Sequence, residues 1–136
     1  MVYALISIHV IFNLIWVGSI CGVGFLLQKK APALARDLYK SVANPGFFGS
    51  FAAGVALVSL DTAAYMRAHW FHGKLTAVVA VIALHHIIGA RAKRESLASE
   101  SVSMQTGGRG AMLVGAFLLC AALAVVFVIF KQALVR

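Results

Sequence analysis

Apolar side chains fill four long stretches of this chain, and polar ones gather between them. The first stretch runs from about Val2 to Leu27 and the second from about Pro45 to Tyr65. The third runs from about Ala68 to Ala90 and the fourth from about Gly110 to Phe130. A helix rising about 1.5 Å per residue needs about 20 apolar residues to cross the hydrocarbon of a bilayer, and each stretch meets that length. None shows the period-two alternation of a half-buried strand, and an open sheet edge has no way to satisfy its backbone in lipid. The pattern therefore predicts an all-α fold. A bundle of four transmembrane helices forms a single integral membrane domain over residues 1–136, with connections at 28–44 and 91–109. Asn44 followed by Pro45 reads as the N-cap and first turn of the second helix. "MVYALISIHV" has no basic n-region and no small-residue cleavage site, so it reads as a retained helix and not a signal peptide.

Composition agrees with this pattern. The chain is 62% hydrophobic and 12% charged, about half the charge of an ordinary soluble domain, so it has too little polar surface to cover itself in water. A net charge of +8 would suggest nucleic acid in a soluble protein, but the positions of the basic residues give it another meaning. Lys29, Lys30, Arg36 and Lys40 fall in the first connection, and Arg91, Lys93, Arg94 and Arg109 in the third. Only Arg67, Lys131 and Arg136 fall on the opposite side. That bias predicts both connections in the cytoplasm and both termini on the outer, periplasmic side, with membrane lipid as the partner and no nucleic acid. Cys21 and Cys120 sit inside apolar segments and read as buried small residues. Gly18 with Gly22 and Ser50 with Gly54 are small-xxx-small pairs suited to close helix packing.

Ionisable residues at membrane depth point to function, because their burial is costly. His9, Asn13 and Trp16 share a face of the first helix. On the third helix, His72 and His86 share one face, and Lys74 and His85 share a roughly opposite one. Counted from their own helix ends, His9 and His72 lie at similar depth, and two histidines at one depth on neighbouring helices can ligate a haem iron from both sides. His86 has no histidine partner at its own depth, and Met112 is the only candidate there. His85 or His86 reads either as a second ligand position or as the cytoplasmic end of the helix. Lys74 reads either as a snorkelling cation or as a residue that holds a carboxylate or moves a proton. Asp61 reads as a structural ion-pair partner of Lys74 or Arg67. Met66, His69 and His72 step by three and, with His9, would suit copper.

The residues that carry a family resemblance are "HVIFNLIW" followed by Gly18, the run Leu38, Tyr39, Lys40, Pro45 and Gly54, and "HWFHGKL" with Trp70, His72, Lys74 and Leu75. His85, thirteen residues after His72, completes the set. In these residues the chain resembles the HemJ-type protoporphyrinogen IX oxidases of the CopD-like four-helix membrane superfamily. The resemblance spans the first three predicted helices. It departs from the family where Gly24 and Phe25 stand in place of a Pro-Arg pair, and where "GGRGAM" opens the last helix.

The resemblance implies a multi-pass protein of the bacterial inner membrane that binds haem b, with one haem, or two if His86 serves a second. It implies oxidation of protoporphyrinogen IX in haem synthesis, with a quinone or a further oxidase taking the electrons. His9, His72, His85 and His86 with Lys74 are then the cofactor-binding candidates, His9, His72 and His86 the metal ligands, and Lys74 and Trp16 the catalytic candidates. Two other readings stand beside it: a b-type cytochrome acting as homo-oligomer or as subunit of a larger redox complex, and a CopD-like copper-handling protein.

Overall fold

A computed structural model describes residues 2–98 and 107–130, with side chains in the last segment from residue 110 onward. Among the described residues all regular structure is helical. The helices are α1 (Val2–Gln28), α2 (Pro32–Leu38), α3 (Asn44–Ser59), α4 (Thr62–Arg67), α5 (His69–Ala98) and α6 (Gly107–Ile129), with a π-helical turn (Tyr39–Ala43) between α2 and α3. Four helical stretches are long and apolar enough to cross a membrane: Val2–Gln28, Pro32–Ser59, His69–Ala98 and Gly110–Ile129. Their outward faces stay apolar, with Leu14, Val79 and Leu119 all exposed, as lipid contact allows and water would penalise.

Two departures from the sequence reading reshape the connections. The first concerns residues 28–44. α1 ends in a Schellman motif: Lys30 adopts φ 56°, its N–H reaches the Leu27 carbonyl at 3.2 Å, and Ala31 N–H reaches the Leu26 carbonyl at 2.9 Å. Pro32 then opens α2, where a missing N–H costs nothing. From there the chain stays helical through the π-turn into α3. Asn44 is therefore not an N-cap; its backbone is helical, and its N–H closes the π-turn on the Tyr39 carbonyl. Pro45 gives the reason. Inside a helix its ring presses on the carbonyl four residues back, and a widened turn relieves that pressure.

The second departure concerns residues 91–109. α5 continues to Ala98, so Arg91, Lys93 and Arg94 ride on helix. Residues 99–106, Lys131, Arg136 and the Arg109 side chain lie outside the described residues, and α6 already starts at Gly107. The turn after the second span also differs. α3 stops at Ser59, and Asp61 caps the short α4 by accepting the Ala64 N–H at 3.1 Å. Among the described residues Asp61 forms no ion pair with Lys74 or Arg67.

α1 packs along α3, and α5 along α6. Trp16, Ile20, Val23 and Leu27 form the buried stripe of α1, spaced by three and four residues. They meet Phe47 of α3, Val81, Ile88 and Ala92 of α5, and Phe117 of α6. Gly46 brings the α3 backbone close to that of α1: a Cβ there would stand 3.1 Å from the Trp16 backbone. Ser50 and Gly54 continue that contact toward His9, whereas Gly18 faces open space. Both cysteines are free and partly buried.

Candidate functional site

Two polar clusters lie along the α1–α3–α5 contact, each built on a histidine. In the first, His9 Nδ1 lies 2.8 Å from the Ser50 carbonyl oxygen. A carbonyl only accepts, so Nδ1 carries the proton and Nε2 keeps its lone pair. The surroundings hold that ring. Asn13 donates to the His9 carbonyl at 2.9 Å and accepts from Ser50 Oγ at 2.9 Å. Gly54 gives the imidazole its room: a Cβ there would stand 3.1 Å from His9 Cε1. Lys74 of α5 lies within electrostatic range of His9.

The second cluster surrounds His85, which is fully buried. Trp16 Nε1–H donates to His85 Nδ1 at 3.0 Å. Indole nitrogen is only a donor, so Nδ1 must accept and Nε2 must carry the proton. That N–H is shared between Tyr39 Oη and Asn44 Oδ1, each 3.1 Å away. The Tyr39 ring stacks on the imidazole with centroids 4.9 Å apart and 29° between planes. Phe47 lies against it at 5.0 Å. Both nitrogens are satisfied within the protein, so His85 offers no lone pair to a metal.

The π-turn makes this cluster. Residues five apart on an α-helix point about 140° from one another. A π-turn bonds residue i to i+5, and here the bond runs from Asn44 N–H to the Tyr39 carbonyl. Tyr39 and Asn44 thereby come to one side and reach the same nitrogen. Gly89 completes the fit, because a Cβ there would collide with Tyr39 Cζ.

The other candidates are placed differently. His72 is exposed, and its Nε2 lies 2.9 Å from the Met66 carbonyl, a local bond across the α4–α5 turn. The Trp16–His85 contact sets the register between α1 and α5. His9 lies seven residues, about 10 Å, from Trp16, and His72 lies thirteen, about 20 Å, from His85. His72 thus sits about 10 Å nearer its end of the bundle than His9 does. His86 is exposed, touches Phe47 edge-on at 5.8 Å, and lines an open cleft. Met112 is exposed on α6. Met66, His69 and His72 do not share one continuous helix, because Ala68 is extended between α4 and α5. Among the described residues no three His, Cys, Asp or Glu side chains converge.

Trp16 is placed as an anchor for His85, and Lys74 is half-buried, about 6 Å nearer the same end of the bundle than His9. Sequence reasoning missed Ser50 as the partner of His9 and the pairing of Tyr39 and Asn44 on His85. Pro45 was the available signal for the second, since a proline inside a span announces a disturbed turn. No family model, curated protein or solved structure matches the chain.

Proposed function

We propose that the chain is a membrane-embedded haem b protein of redox function, acting as a HemJ-type protoporphyrinogen IX oxidase in the bacterial inner membrane with both termini outward. The observation that supports this reading is the state of His9. Its Nδ1–H is tied to the Ser50 carbonyl, which fixes the tautomer and aims a free Nε2 lone pair, the arrangement that metal-ligating histidines adopt. The His9 cluster fits a haem iron in this respect, and His85 does not.

Bound haem supplies one-electron chemistry at iron. The chain's own groups do the rest. His9 would hold the metal through Nε2. Asn13, Ser50 and Gly54 keep its ring oriented. Lys74, half-buried on α5 about 6 Å nearer the same end, would hold a carboxylate of the tetrapyrrole. The Trp16–His85 cluster, about 10 Å further along α1, makes a rigid floor under the site. His72 is the remaining ligand candidate: its Nε2 is tied to the Met66 carbonyl and its Nδ1 is left open among the described residues, about 10 Å nearer the end of the bundle than His9.

The test is the dithionite-reduced minus oxidised spectrum of the purified chain, with haem counted as the pyridine haemochrome. A b-type α-band at one haem per chain is expected, lost in His9→Ala. A folded, haem-free chain from haem-replete cells would overturn the reading. Protoporphyrinogen oxidation by the haem-loaded chain then separates the oxidase from a b-type electron carrier.

A further inference from the structure

We infer that the cleft between the π-turn and α5 binds the phosphate of an anionic phospholipid headgroup. This inference stands apart from the haem reading and uses different atoms. The cleft has a volume of about 280 Å³. Arg36, Tyr39, Lys40 and Asn44 line one side, and His86 and Lys93 the other, over the bare backbone of Gly89. Among the described residues no carboxylate lines it. Glu95 of α5 is engaged by Arg91 at 2.6 Å.

The hydrogen-bond chain from the core explains why the neutral wall favours an anion as well. Trp16 forces the proton of His85 onto Nε2, and Nε2–H uses the Tyr39 oxygen and the Asn44 carbonyl oxygen as acceptors. Tyr39 keeps its O–H to donate, and Asn44 keeps its NH₂. The reverse orientation of Asn44 would set N–H against N–H and is ruled out. The cleft is thus lined with donors: a hydroxyl, an amide and three fixed cations. Arg36 adds a second mark. Its Nε is shielded from solvent and meets no acceptor among the described residues. A buried donor left this way costs about 1–3 kcal/mol. Arg36 also lines the cleft, and a planar guanidinium takes phosphate through two parallel bonds.

Depth identifies the source of that phosphate. Gly89 lies twenty residues after His69, about 30 Å along α5, which is the thickness of the hydrocarbon core. The cleft therefore opens at headgroup level, where basic pockets between helices take anionic lipid. Lys40 and Lys93 are exposed at its mouth.

Native mass spectrometry of the full chain, released from micelles holding equal phosphatidylglycerol and phosphatidylcholine, tests this. The expected result is retention of one phosphatidylglycerol, preferred over phosphatidylcholine by about tenfold or more, because the choline ammonium, which phosphatidylglycerol lacks, is set against Arg36, Lys40 and Lys93. Lys40→Gln with Lys93→Gln removes two exposed charges without touching the core and should abolish the preference. Arg36→Gln should do the same. Lys29→Gln with Lys30→Gln, outside the cleft, should leave it intact. Equal retention of both lipids, unchanged preference in Lys40→Gln/Lys93→Gln, or equal loss in Lys29→Gln/Lys30→Gln would overturn the proposal. Release of the lipid by excess inorganic phosphate would overturn it too, by showing a site for the free ion.

Discussion

His9 and His85 are both histidines held against α3, yet their surroundings make them different chemical objects. His85 is sealed between two aromatic rings, with Trp16 on one nitrogen and Tyr39 and Asn44 on the other. His9 is half-buried, with one nitrogen tied to a backbone carbonyl and the other free. A histidine whose two nitrogens are both used inside the protein is part of the packing. One whose first nitrogen is anchored is oriented for something else. Burial alone would have ranked them the other way, because His85 is the more deeply placed of the two.

That contrast can be broken most forcefully at His85. His85→Ala removes a fully buried ring and strands the Trp16 N–H, so it should destabilise the bundle by about 3–5 kcal/mol. Thermal unfolding in detergent would show this, while haem per folded chain should stay near the wild-type value. Equal loss of haem and stability would erase the distinction between the two histidines. Gly89→Ala comes next. The added methyl collides with the Tyr39 ring, and overpacking of this kind costs about 1–3 kcal/mol. Its unfolding midpoint should fall clearly, whereas Gly54→Ala, at 3.1 Å from the edge of the His9 ring, should shift the haem spectrum more than the midpoint.

His9→Ala gives the opposite signature. Losing one partly buried hydrogen bond costs about 1 kcal/mol, so the chain should remain folded and lose its haem. His72→Ala sharpens this further. If the register set by Trp16 and His85 holds with haem bound, His72→Ala should retain more haem than His9→Ala. Equal loss in the haemochrome assay would mean that both ligate one iron. The smallest effect is expected far from either cluster. Lys30→Gly relieves a left-handed lysine and should stabilise the protein by up to about 1 kcal/mol, visible as a raised unfolding midpoint without change in haem content.

How much of this was legible beforehand varies with the kind of interaction. That four helices are long and apolar enough to cross a membrane was, since about 20 apolar residues have one solution in lipid, although the second runs Pro32–Ser59 and not 45–65. The shared face of His9, Asn13 and Trp16 was too, because it follows from 100° per residue along one helix. The partners across helices were not. Nothing local in "NPGFF" tells that Asn44 points at a residue forty-one positions later. The Asn-Pro pair even argued for a helix start, and the continuous helix from Pro32 overrode it. Depth was legible only within each helix. His9 and His72 match when counted from their own ends, and the Trp16–His85 contact shows α5 shifted by about 10 Å.

The sequence by itself determined that this protein is helical, that four of its stretches suit a bilayer, and which few polar side chains fall within those stretches. Those properties depend on hydropathy and on the geometry of a single helix, and both are local. Only the tertiary structure decided which histidine is sealed and which is open. Tautomer, register and satisfaction of each nitrogen depend on donors and acceptors brought from other helices. A π-turn of five residues turned Tyr39 and Asn44 to one side, and a glycine on α5 left room for the ring. These are contacts between segments far apart in the chain, and their energies exist only once the helices have packed.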